Sequence, residues 1–259
     1  MLHHTIYHLS DSADWVTFIH GAGGSSSIWY KQIRDFKEQF NVLLIDLRGH
    51  GGSKKPIYQT LKRYTFDVIG DEVIEVMDNL KIEKTHFVGI SMGTIVARDI
   101  TERHPERTQS LVLGGAIMKL NIKSQVLLKG ANVLKSIIPY LILYKILAIV
   151  VMPRKNHKES RILFVNEAKK LYQKEFIRWF SLASQVNPLL KFFRIKDNGI
   201  PTLYIMGEED HMFLPSISKL VKDHTSSLLH VIPNCGHVVN IEQPAIFNST
   251  AIAFLRGAK

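Results

Sequence analysis

The chain has 259 residues, 33 Lys and Arg against 23 Asp and Glu, one Cys and 46% hydrophobic residues. That composition excludes wholesale disorder, a disulfide framework and a Cys-rich zinc module, and it leaves length for one large domain or two small ones. The opening MLHHTIYHLSDSADW holds no apolar segment of signal-peptide length, and no apolar run reaches the ~20 residues of a membrane span, so the expected location is cytoplasmic.

At most one strand, near 5–9, is expected before the first clear apolar run, WVTFIH (15–20). Glycine-rich HGAGGSSS follows it, and residues 28–38 predict a helix. NVLLID (41–46) reads as a second buried strand, ended by LRGHGGS. A helix is predicted over roughly 65–80, where Phe66, Ile69, Val73, Val76, Met77 and Leu80 recur at helical spacing. HFVGI (86–90) is a third strand, SMGTIVARDITERH opens a helix directly after it, and SLVLGG (110–115) is a fourth strand. The alternation stops from about 117 to 197 and resumes with TLYIMG (202–207), SLLHVIP (227–233) and a helix near 243–256. Strands alternating with helices predict an α/β fold, a mostly parallel sheet of about seven strands with helices on both faces. Residues 1–116 and 198–259 then form one core, and 117–197 a helical insertion.

The positive charge belongs to that insertion. Residues 119–196 hold 16 Lys and Arg but only three acids, Glu159, Glu167 and Glu175, while the rest of the chain is slightly acidic.

The strongest local pattern is Gly89-Ile90-Ser91-Met92-Gly93, a G-x-S-x-G between a predicted strand and a predicted helix. A serine at such a turn is held exposed at the C-terminal edge of the sheet. Side chains at the two glycines would collide with neighbouring backbone. The helix N-terminus adds N–H donors for a developing anion. Acyl transfer needs two such donors: Met92 N–H is one candidate, and Ala22 N–H in His20-Gly21-Ala22-Gly23-Gly24 is the other. Serine also needs a base held by an acid. His237, in Pro233-Asn234-Cys235-Gly236-His237, and Asp210, in Gly207-Glu208-Glu209-Asp210-His211, each follow a late strand. Glu208 and Glu209 remain alternatives for the acid. The chain order Ser91, Asp210, His237 occurs in one fold only among the triad enzymes.

With these residues in place the sequence resembles the α/β-hydrolase superfamily over residues 15–116 and 200–256. The resemblance includes Asp46-Leu47-Arg48-Gly49-His50-Gly51-Gly52-Ser53, the D-x-R-G-H-G-x-S loop, besides HGAGG, GISMG, EEDHMFLP and NCGHVVNIEQP. It implies Ser91 as nucleophile, His237 as base, Asp210 as acid, and Ala22 and Met92 as oxyanion donors. It makes the insertion a cap over the active site, and Arg48 and His50 mainly structural. Ile90 and Thr94 stand where many members have His and Gly, and neither change removes a catalytic group. A serine nucleophile disfavours the branches that use Asp. Cys235 is expected to be a small, partly buried side chain and Trp29 to pack near the pocket. His3, His4 and His8 lack a closing set of ligands, so no metal or cofactor is expected.

Two readings of the insertion stay open. IIPYLILYKILAIVVM (137–152) is too short to cross a bilayer and apolar all round. It is either a helix packed inside the cap or a lid that binds acyl chains or touches a membrane. A single helix is predicted over about 159–183, with Phe164, Ala168, Leu171, Phe176 and Trp179 inward and Lys170, Lys174 and Arg178 as a basic stripe. No nucleic-acid motif accompanies the charge, so nucleic acid is not an expected partner. An anionic lipid surface or an anionic substrate fits the greasy surroundings better. The function expected is that of a serine esterase acting on a small-molecule or lipid-like ester with an apolar acyl group. The alternatives are a C–C bond hydrolase or lyase with the same triad, and a small-ligand receptor with weak hydrolase activity.

Overall fold

The computed structural model describes residues 1–54, 64–120, 125, 130 and 138–258. Seven strands form one sheet: β1 (His4–Tyr7), β2 (Trp15–Ile19), β3 (Asn41–Ile45), β4 (Thr85–Ile90), β5 (Thr108–Gly114), β6 (Thr202–Gly207) and β7 (Ser227–Ile232). Their order is β1-β3-β2-β4-β5-β6-β7. Only β1 runs antiparallel, pairing with β3, and the remaining pairs are parallel. β3 and β4 are buried along their whole length, as strands covered on both faces must be, and this is why they read as unbroken apolar runs. One layer of core packs α2 (Phe66–Asn79) and α3 (Met92–Arg103) onto the sheet. The other places α10 (Pro244–Gly257) and the short α1 (Ile33–Phe36) against Phe18, Val42, Val88 and Ile205.

Two predicted helices are broken. Residues 28–38 form a 3-10 turn, Ser26–Trp29, and then α1. Tertiary contacts override local preference here: the buried Gln32 amide donates to the Asn240 carbonyl (2.9 Å) and to Asn248 Oδ1 (3.1 Å), which fixes the turn. Trp29 is buried against Phe18 (4.8 Å between rings).

Among the described residues four helices lie between β5 and β6: α4 (Tyr140–Val151), α5 (Lys158–Ala168), α6 (Gln173–Ser184) and α7 (Asn187–Ile195). They form the inserted helical cap. The single helix expected over 159–183 is thus two, parted at Lys169–Tyr172. Leu171 turns inward there, and its carbonyl accepts the Tyr140 hydroxyl (2.8 Å) instead of continuing a helix. The break also dissolves the basic stripe. Lys170 pairs with Glu167 beside the turn, and Arg178 pairs with the buried Glu175 (2.8 Å). Ala168, Leu171, Phe176 and Trp179 do face inward. Two further helices, α8 (Leu214–Asp223) and α9 (Val239–Glu242), follow β6 and β7. Among the described residues no helix is long and apolar enough to cross a membrane.

Candidate active site

Parallel strands end at one edge of the sheet, and loops beyond that edge carry every candidate residue. Ser91 sits between β4 and α3 with φ +53°, a conformation a non-glycine residue holds only where its surroundings enforce it. The two flanking glycines are required by close backbone approach. A Cβ on Gly93 would stand 2.2 Å from the Ile19 carbonyl oxygen, and one on Gly89 would stand 2.9 Å from the Gly93 carbonyl oxygen. The elbow is therefore wedged between β2 and its own helix.

The structure brings Ser91, His237 and Asp210 into one line. His237 Nε2 lies 2.9 Å from Ser91 Oγ, and its Nδ1 lies 2.8 Å from Asp210 Oδ2. Asp210 is fully buried, and its other oxygen accepts the Phe213 N–H (3.2 Å). With a carboxylate facing Nδ1 the proton resides there, which leaves the Nε2 lone pair toward the serine hydroxyl. Phe213 packs against the imidazole, 5.2 Å between rings. The two alternative acids are engaged elsewhere. Glu208 accepts the Asn234 N–H (3.2 Å), and Glu209 binds Asn156 (2.9 Å), His157 (2.7 Å) and Arg154. The Asn156 amide, aided by His157 and Arg154, holds the Glu209 carboxyl below its ordinary value.

Ala22 and Met92 both line the cavity at Ser91. Met92 is the first residue of α3, so its N–H has no intrahelical acceptor. Ala22 N–H has no partner among the described residues. Its loop is fixed from two sides. Gly23 N–H donates to His50 Nε2 (2.8 Å), and the Tyr144 hydroxyl of α4 donates to the Ala22 carbonyl (2.5 Å). Gly23 has φ +77°, and a Cβ there would fall 1.8 Å from the Tyr144 oxygen.

His50 and His20 each accept a backbone N–H through Nε2, from Gly23 and from Leu47 (3.0 Å). Burial holds both below the ordinary histidine value; His50 falls to about 3, with neighbouring His20 adding to the effect. Both are therefore neutral struts. Asp46 accepts the N–H of Ser26 (2.6 Å) and of Gly52 (2.8 Å) and faces His3 Nδ1 (2.9 Å). Arg48 forks onto Glu72 (2.7 Å). The D-x-R-G-H-G-x-S loop thus braces the loop that carries Ala22. Cys235 is fully rather than partly buried, which pushes its thiol up and out of reactive range.

Two recesses open at Ser91 and His237. The first is apolar, walled by Leu147 and Val151 of α4, by Phe176 and Phe180 of α6, and by Ile95 and Val186. The second, on the side of the oxyanion loop, presents Ser27, Tyr30, Ser160 and Glu167. No Lys or Arg lines either among the described residues.

Sequence reasoning missed Tyr144, His157 and Glu167. His157 is completely buried beneath the cap, between Glu209 and Glu242 (3.8 Å). Glu167 accepts the Ser25 hydroxyl (2.9 Å). The available signal was slight: Tyr140 and Tyr144 are, with Lys145, the only polar tips in an apolar run, one turn apart.

The profile of the alpha/beta hydrolase fold matches residues 14–130. The chain is 24% identical over 270 residues to the uncharacterized carboxylesterase nap of Bacillus subtilis, spanning 97% of this chain and 82% of that one. It is 29% identical over 262 residues to the 2-hydroxy-6-oxononadienedioate/2-hydroxy-6-oxononatrienedioate hydrolase of Comamonas testosteroni, spanning 96% and 90%. The crystal structure of the enol-lactonase from Burkholderia xenovorans superposes with a TM-score of 0.81 at 22% identity, over 98% of this chain and 96% of that chain. In strand order, in the wedged serine turn and in these likenesses the chain has the α/β-hydrolase fold.

Proposed function

We propose that the chain is a serine hydrolase that cleaves a carboxylic ester bearing an apolar acyl group. The observation that carries this reading is the Ser91–His237–Asp210 line opening onto an apolar recess. Ser91 Oγ attacks the carbonyl carbon as His237 Nε2 takes its proton. The negative oxygen that forms is held by the N–H groups of Ala22 and Met92. His237 then protonates the departing alcohol, which leaves Ser91 acylated. Water, deprotonated by the same imidazole, attacks the acyl-enzyme and releases the acid. The acyl chain occupies the recess walled by α4 and α6, where burial contributes roughly 0.8 kcal/mol per methylene. The alcohol leaves through the recess bearing Ser27, Tyr30 and Glu167.

The likeness to the Comamonas hydrolase raises a second reading, C–C bond cleavage. A dioate calls for cations beside the reacting carbon, and neither recess has one among the described residues. Glu167 would repel it further.

The test sets nitrophenyl esters of increasing acyl length against a vinylogous diketone carrying a carboxylate. Turnover is expected for the esters, with kcat/KM rising from acetate toward medium chains. A fluorophosphonate is expected to label wild-type protein and not Ser91→Ala. Ser91→Ala should lose about 10⁴-fold or more in kcat. A variant that keeps a tenth of the ester activity refutes the nucleophile. Turnover of the diketone alone moves the protein to the second reading.

A further inference from the structure

Helix α4 is apolar on both sides, and only one side is covered. Leu143, Tyr144, Ala148 and Val151 are buried, and Tyr144, Leu147 and Val151 wall the acyl recess. Opposite them Ile142 (47% exposed), Ile146 (44%), Ile149 (59%) and Val150 (36%) face outward. At 100° per residue these four fall within an arc of about 100°, one continuous stripe along the helix. A water-facing helix carries polar residues there, so the stripe calls for an apolar partner.

The charges around the stripe identify that partner. The three acids between 119 and 196 are all engaged: Glu159 with Lys31 (2.9 Å), Glu167 with Lys170, and Glu175 with Arg178 (2.8 Å). Lys145, on the edge of the stripe, is exposed and has no acidic partner among the described residues. The same holds for Lys155 and Lys158, four and seven residues beyond Val151, where the chain turns from α4 into α5. An apolar stripe with unneutralised lysines at its flank and no free acid matches an anionic lipid surface. Isoleucines enter the acyl boundary, and lysine stems lie along it with their ammonium groups among the head groups.

We propose that the outer face of α4 is a docking surface for anionic membrane lipid. Docked in this way, the helix that walls the acyl recess lies in the interface itself. An acyl ester in the outer lipid layer is then one helix thickness from the recess that opens at Ser91. The inference stands apart from the hydrolytic reading, because binding needs neither Ser91 nor His237.

The test is co-sedimentation of the full chain with phosphatidylcholine vesicles and with equimolar phosphatidylcholine–phosphatidylglycerol vesicles, at low and at high salt. Binding to the anionic vesicles at low salt is expected, with at least tenfold weaker binding to neutral ones and release at high salt, where the Debye length shrinks to a few ångström. Ile146→Glu/Ile149→Glu should lower the anionic partition coefficient at least tenfold. Lys145→Glu/Lys155→Glu/Lys158→Glu should do likewise, since each lysine near such a surface contributes a factor of about five. All five substitutions lie outside the acyl recess, so hydrolysis of a soluble nitrophenyl ester and the thermal midpoint serve as controls for folding. Equal, negligible sedimentation with both vesicle types overturns the proposal. So does anionic binding that survives the isoleucine substitutions. Dimerisation without lipid that those substitutions abolish assigns the stripe to a second copy of this chain and overturns it too.

Discussion

Replacing His50 by Ala should reveal how the oxyanion loop is held. His50 Nε2 accepts the Gly23 N–H, one residue from the Ala22 donor, and its ring packs at 4.9 Å from His20 and 5.0 Å from Trp179. Truncation leaves the buried Gly23 N–H without an acceptor, which costs about 1–3 kcal/mol. The cavity left by the ring adds to this, so about 3 kcal/mol of stability should be lost in all. The kinetic effect is separable. Losing one oxyanion donor outright lowers kcat about 10²–10³-fold, and a loosened loop that still samples the right geometry should lose about tenfold. His50→Gln is the discriminating partner, because its Oε1 reaches where Nε2 stood and accepts the same N–H. Urea denaturation and steady-state hydrolysis of a soluble nitrophenyl ester would measure both quantities. Gln should recover most of kcat even where stability is only partly restored. If Gln performs no better than Ala in kcat, or if Ala loses stability with kcat intact, the hydrogen bond does not hold the oxyanion loop.

Three more outcomes are expected. His50, His20 and His86 lie below their ordinary value, chiefly through burial, with His50 at about 3 and His86 at about 4. Their unfolded forms bind protons near pH 6.5, so stability is complete above that pH and falls as pH drops. Each strongly shifted group removes about 2 kcal/mol by pH 5, and urea midpoints that stay flat from pH 7 to 5 would contradict this. Gly23→Ala should cost most of the activity and soluble yield, because φ is +77° and the new methyl would overlap Tyr144; near-normal kcat would show that the loop is free to move. Ala183→Leu, filling the acyl recess, should cut kcat/KM for long acyl esters at least tenfold and spare acetate, and a uniform loss across chain lengths would place the acyl group elsewhere.

The sheet was legible because buried parallel strands are short apolar runs and the turns between them carry glycine. The Ser91–His237–Asp210 line was legible because the turns that carry it constrain sequence locally: Gly89 and Gly93 are forced by backbone approach, and Asp210 and His237 follow strands that end at the same edge. The helix breaks at 30–32 and 169–172 were hidden, since Gln32 and Leu171 answer to partners more than thirty residues away or across the cap. Tyr144 and His157 were hidden for the same reason. Their partners, Ala22 and Glu209, are 122 and 52 residues distant, and no local pattern encodes such a pairing. The basic stripe failed differently: periodicity places side chains on a face only while the helix continues, and it does not continue through Lys170.

The cap does more than roof the recess, and His157 tests that claim. Its Nε2 lies 2.7 Å from Glu209, the neighbour of Asp210, and 3.8 Å from Glu242, whose carboxylate accepts the Gly236 N–H (2.6 Å) beside His237. One imidazole from the cap thus sits between carboxylates belonging to the acid loop and the base loop. A Cβ on Gly236 would stand 2.7 Å from the His157 ring, so the contact is tight. In His157→Ala the two carboxylates face each other with a void between them, and the loss of a buried donor costs about 1–3 kcal/mol. The strain falls on the two loops that set the Asp210–His237 hydrogen bond, so kcat for a small soluble ester should drop about tenfold while KM stays nearly constant, the pattern of an interaction felt in the transition state. A roof that merely encloses substrate predicts the reverse. If KM rises and kcat holds, His157 fastens the cap and has no part in positioning the triad.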